Sequence, residues 1–214
     1  IQRLLRDAGV PSAEPFGIVE IVPEREYLMV SEFLEGSEEL THAEIDDEII
    51  DQALHVIRSM WDAGLAHRDI KPANVMLNDG RVVLIDVAFG TVRPSPWRQA
   101  VDLANMMVIL GLRTSAERVY ERALHQFAPE DIAEAFAATR SVTLPSQSRS
   151  SLALLKKEQG VDLVEEFNRL SPPAEPISIQ RWSPRRIWLT AGALILGLML
   201  IATVTSEVTG GGIL

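Results

Sequence analysis

The run His67-Arg68-Asp69-Ile70-Lys71-Pro72-Ala73-Asn74 constrains this chain more than any other segment. It falls between a helix-patterned stretch and a short β-hairpin pattern. A second acid, Asp86, ends the apolar run Val82-Val83-Leu84-Ile85. A fold that uses this set must bring an acid, a lysine two residues on, an asparagine five on, and an acid capping a strand into one cleft.

The flanks predict how that happens. Thr41-His42-Ala43-Glu44 has capping-box spacing, in which each side chain satisfies the other's free backbone N–H. Beyond it, Ile50, Ala53, Leu54, Ile57, Met60 and Trp61 recur at three and four, one face of a long helix that Gly64 closes. Residues 75–77 and 82–85 read as strands joined through Asn78-Asp79-Gly80, a strong hairpin turn. Upstream, residues 1–8 are helical in pattern, and 16–22 and 27–33 form a hairpin about Pro23-Glu24-Arg25-Glu26. Downstream, residues 99–112 are apolar nearly all round, as in a buried helix. Residues 115–127, 129–138 and 148–157 are expected to be further helices.

Several classes are excluded or disfavoured. The net charge of −10 argues against a nucleic-acid-binding surface, which needs a basic stripe. The absence of Cys removes disulfides, thiol nucleophiles and thiolate metal sites. His42, His55 and His125 lack metal-ligand spacing. The length suits one sizeable core with a small additional element.

The C-terminal part differs. Ser171-Pro172-Pro173-Ala174-Glu175-Pro176 reads as a stiff linker. Residues 187–206 carry no charged side chain, matching the roughly 20 apolar residues that cross a bilayer core as a helix. Arg181, Arg185 and Arg186 precede that run and Glu207 follows it, so the N-terminal part is expected on the cytoplasmic side of a cell membrane. Because the chain starts at Ile1 and stops just after Gly210-Gly211-Gly212, it is read as a piece of a longer protein.

The polar set fits phosphoryl transfer. Asp69 suits the task of accepting or orienting the proton of an acceptor hydroxyl, and Lys71 that of neutralising the transferred phosphoryl. Asn74 and Asp86 offer hard oxygens to magnesium. The string from His67 to Asn74, followed by Asp86, resembles the catalytic loop and metal-binding acid of the protein-kinase fold. The order strand, hinge, long helix, loop, hairpin, capping acid, buried helix is similar to the C-terminal lobe of kinases over about residues 16–140.

Two departures narrow the likeness. Only residues 87–98 separate Asp86 from the helix carrying Asp102, and no Ala-Pro-Glu follows. The acid heads Asp86-Val87-Ala88 where kinases usually have Asp-Phe-Gly. Short segments of this kind resemble the atypical RIO-like kinases. The layout with a linker and an apolar run is similar to bacterial membrane proteins carrying a kinase-like domain ahead of a region like lysylphosphatidylglycerol synthetases and flippases.

The resemblance implies an α+β, kinase-like fold: a remnant N-lobe and hinge at 1–36, a mostly helical C-lobe at 37–170, a basic Pro-rich linker at 171–186, a transmembrane helix at 187–206 and an extracytoplasmic start at 207–214. It implies Asp69 and Lys71 as catalytic groups and Asn74 and Asp86 as magnesium ligands. ATP is expected against the backbone of Glu32 and Leu34, with Met76 under the ring. His67 is expected to brace the loop and Asp102 to anchor its backbone. The phosphoacceptor is an unknown protein or small molecule, and the bilayer is the other partner. No glycine-rich phosphate loop or strand lysine precedes residue 16, so this stretch alone is expected to be inactive or nearly so. The alternative is a pseudokinase that binds nucleotide or a partner and regulates an attached multi-span membrane region.

Overall fold

The computed structural model describes residues 1–139, 143–174, 188, 189, 191–197 and 199. The chain divides into two compact units, Ile1–Ile177 and Ser178–Leu214.

The first unit is α+β. Helix α1 (Gln2–Asp7) leads through Gly9, at φ +77°, into a hairpin of β1 (Pro15–Val22) and β2 (Glu26–Ser31). Its register pairs Ile18 with Met29 and Val19 with Leu28. After β3 (Glu38–Glu39), helix α2 runs Asp47–Asp62. The expected capping box at Thr41–Glu44 is not the helix start. Residues around it form a turn, in which His42 N–H donates to the Glu39 carbonyl. The cap is Asp46, whose carboxylate accepts the Ile49 N–H at 2.9 Å. Asp47 and Glu48 follow in the first turn, where the helix dipole favours negative charge. Ile50, Ala53, Leu54, Ile57 and Met60 are buried on the expected face.

The chain then crosses β4 (Leu65–Ala66), the loop from His67 to Asn74, β5 (Val75–Asn78), β6 (Arg81–Leu84) and β7 (Thr91–Val92). Strands order β3-β5-β6 in one antiparallel sheet, and β4 pairs with β7. Asp79 and Gly80, at φ +48° and +73°, make the two-residue turn between β5 and β6 that their sequence favours.

Helix α3 (Pro96–Gly111) begins three residues before the expected start. Pro96 sits at its first turn, where its missing N–H costs nothing. Ala100, Leu103, Ala104, Met106, Met107 and Val108 are all buried, as expected of a helix apolar nearly all round. Around it pack α2, α4 (Ala116–Ala123) and α5 (Pro129–Ala138), with α6 (Ser146–Gln159) and α7 (Leu163–Leu170) beyond. Helix α4 is shorter than the expected 115–127. Helix α7 was not foreseen. It lays Leu163 and Phe167 over Gly111, where an added Cβ would lie 2.9 Å from Leu163 Cδ2, and stacks Phe167 on Phe136 at 4.6 Å.

In the second unit, Trp188, Leu189, residues 191–197 and Met199 are helical. The rest of the expected span at 187–206 lies outside the described residues, as do 175–186 and 207–214. Among the described residues no helix is long and apolar enough to cross a membrane.

Candidate active site

The loop from His67 to Asn74 is fixed from three sides. Strand β4 delivers it, with Leu65 and Ala66 buried and Gln99 of α3 donating to the Leu65 carbonyl at 3.0 Å. Asp102, one helical turn further along α3, is buried and accepts the N–H of His67 at 2.6 Å and of Arg68 at 2.9 Å. The His67 ring, itself buried, donates from Nε2 to the Ile85 carbonyl at 3.1 Å. Those contacts tie the loop to the end of β6, as the brace and anchor roles required.

These contacts hold two unfavourable backbone conformations in place. Arg68 and Asp86 adopt φ +68° and +56°, the left-handed region that costs side-chain-bearing residues of order 1–3 kcal/mol. Such strain persists only where the surroundings over-determine it. Here it turns the chain immediately before Asp69 and at Asp86.

The four sequence-identified polar residues converge. Lys71 Nζ lies 2.5 Å from Asp69 Oδ2 and 4.0 Å from Asp86 Oδ2. Asn74 Nδ2 donates to both the Asp69 carbonyl and Asp69 Oδ2, each at 2.9 Å. The β5–β6 register explains the approach of Asp86: Val75 pairs with Leu84, and Ile85 N–H donates to the Asn74 carbonyl, so residues 74 and 86 leave the hairpin at the same end. Asn74 is buried, Asp69 and Lys71 are partly exposed, and the Asp86 side chain is half exposed.

Beside this cluster is a cavity of about 400 Å³ lined by Met29, Glu32, Leu34, Met76, Asp86 and Val87, among others. That volume is in the range of small-molecule sites. Glu32, Leu34 and Met76 therefore meet Asp86 around one space. Glu32 donates its N–H to the Glu14 carbonyl at 2.8 Å and accepts the Glu14 N–H on its carboxylate at 3.0 Å. The Leu34 carbonyl is taken by Ser37. Among the described residues the Glu32 carbonyl, the Phe33 N–H and the Leu34 N–H take no backbone hydrogen bond of this kind. Gln2 and Met29 also line the cavity and were not anticipated. Met29 had a signal, since it lies in the β-rich apolar run at residues 27–30, whereas Gln2 had none.

Burial pushes the Asp102 carboxyl up to about 7, against the downward pull of the His67 and Arg68 N–H groups. Burial likewise lowers the His67 imidazole, keeping it a neutral donor to Ile85. Among the described residues no group of three or more His, Cys, Asp or Glu side chains is assembled for a metal. Asn74 and Asp86 each carry a hard side-chain oxygen. This fits magnesium held partly by phosphate oxygens and water, as it is in nucleotide sites. Lys71 Nζ lies near both the Asp69 and Asp86 carboxylates and partly offsets their charge.

No protein-family model matches this chain, and no curated protein matches it in sequence.

Proposed function

We propose that this chain carries the catalytic core of an ATP-dependent phosphotransferase of the atypical, RIO-like serine/threonine kinase type. The observation that carries the reading is the convergence of Asp69, Lys71, Asn74 and Asp86 at the edge of a cavity that Glu32, Leu34 and Met76 also line.

In this reading the adenine meets the Glu32 carbonyl and the Leu34 N–H above Met76. Both Lys71 and Asn74 bond to Asp69 Oδ2, which leaves Oδ1 to orient the acceptor hydroxyl and take its proton. Lys71 then offsets charge on the transferred phosphoryl. Magnesium, held by Asn74 and Asp86, supplies electrostatic stabilisation of the phosphates when bound. Residues 1–14, ahead of β1, hold no lysine and no glycine-rich loop, so none of them supplies that phosphate contact. The support for a membrane-tethered, cytoplasmic-face location is the sequence alone: the uncharged run 187–206 behind Arg181, Arg185 and Arg186.

A specific observation favours a second reading, a pseudokinase that binds nucleotide without transferring phosphate: Val87-Ala88 follow Asp86 where kinases usually have Phe-Gly. Full-length protein with radiolabelled ATP and magnesium separates the two. Asp69→Asn and Asp86→Asn are expected to lower labelling by ~10²-fold or more, the scale of a lost acid–base or metal-binding group. Equal labelling in all three proteins overturns the catalytic reading. Nucleotide binding without any transfer favours the pseudokinase.

A further inference from the structure

The first turn of α6 reaches into the active-site loop from 74 residues further along the chain. Ala73 immediately precedes Asn74 in the short 3-10 turn Pro72–Asn74. Its N–H donates to Gln147 Oε1 at 3.2 Å. The other end of the same amide, Nε2, donates to Glu39 Oε2 at 3.5 Å. Glu39 belongs to β3 and pairs with Met76 of β5, the residue on the cavity wall. One side-chain amide thus joins the turn that presents Asn74 to the sheet that presents Met76. Helix α6 can hold it still, because Leu152 and Leu155 pack on the core and Ser148 is fully buried.

We propose that Gln147 is a positioning residue for phosphoryl transfer, acting through Ala73 on Asn74 and Asp69; this rests on the phosphotransferase reading. The chemistry of the residue is specific. A carboxamide offers an acceptor to Ala73 and a donor to Glu39 from one planar group, at any pH in the working range. Loss of the acceptor frees the turn to rotate. Asn74 moves with it, and Asn74 is what clasps the Asp69 carboxylate.

The test uses full-length protein and two readouts. In kinetics, Gln147→Ala is expected to lower kcat by ~10-fold or more while KM for ATP changes less than about twofold, since a small misplacement of reacting groups costs rate before it costs binding. Gln147→Glu places two carboxylates face to face and is also slow. The swap Glu39→Gln with Gln147→Glu restores the pair with donor and acceptor exchanged, and brings kcat back to within about threefold of wild type. A merely structural role would not be rescued this way. Wild-type kcat in Gln147→Ala, or a swap no faster than Gln147→Glu, overturns the proposal. The second readout needs no activity: in Gln147→Ala the Ala73 amide exchanges with deuterium ~10-fold faster or more, while the Leu103 amide keeps its protection. Unchanged Ala73 exchange also overturns the proposal. Where wild type transfers no phosphate, the phosphotransferase reading fails on that result, and Ala73 exchange alone decides whether Gln147 holds the loop.

Discussion

The β1–β2 hairpin and the α2–α3 pair are both strongly patterned in sequence, yet they occupy opposite environments. In the hairpin, Ile18 is 72% exposed and Leu28 52% exposed, although they point to opposite faces. In the helical body, Ile57 and Leu103 are fully buried. Among the described residues β1 and β2 pair only with each other. The difference shows that pattern specifies local geometry and not burial. A hairpin closes on its own turn and ladder, but its apolar side chains gain water-excluded area only if another layer covers them. Helix α3 gains that cover from helices on several sides.

The contrast can be broken by mutation. The largest effect is expected at Leu103→Ala, which should cost about 2–5 kcal/mol in denaturant unfolding, as for a fully enclosed leucine that leaves a cavity. A cost near zero would mean that α3 is not the centre of the core.

Next comes Asp102, the buried carboxyl that joins the body to the loop. Its ordinary value is 3.8 and its folded value about 7, so the folded protein keeps a proton that the unfolded chain has lost in between. The resulting stabilisation is complete below the unfolded value and is lost as pH rises through the folded one. Unfolding free energy of wild type is expected to drop by on the order of 2 kcal/mol between about pH 5 and pH 8, and the Asp102→Asn profile should be shallower by that amount. Parallel profiles would show that the two N–H donors hold the carboxylate charged throughout.

The smallest effect belongs to the hairpin. Ile18→Ala is expected to change stability by no more than about 0.5 kcal/mol, as for an exposed side chain. A loss comparable to that at Leu103 would reveal that something covers this face in the working protein, and the contrast between the two regions would disappear.

Parts of the site were legible because their contacts are short-range. Asp69, Lys71 and Asn74 lie within five residues of one another, so a loop of this composition brings them together with little help. The β5–β6 turn was legible from Asp79-Gly80 and carries Asp86 back to Asn74. The α2 cap was misread because two acceptor-rich segments precede the helix. The one adjoining the apolar repeat, Asp46, took the cap. Helix α7 was overlooked although Leu163, Val164, Phe167 and Leu170 recur at helical spacing, because eight residues make a marginal helix by themselves and what holds it, Gly111 and Phe136, lies elsewhere in the chain.

By itself the amino-acid sequence determined the α+β class and most of its elements, the buried character of α3 and the identity of the polar quartet. Each of those depends on a repeat within one element or on short spacing, the one longer step being the hairpin that carries Asp86 back from twelve residues beyond Asn74. Only the tertiary structure decided that a cavity opens beside the quartet, that Asp102 is enclosed while holding two N–H groups, and that Gln147 reaches Ala73. Those outcomes depend on groups dozens of residues apart, brought together by core packing, and a linear pattern carries no record of that distance.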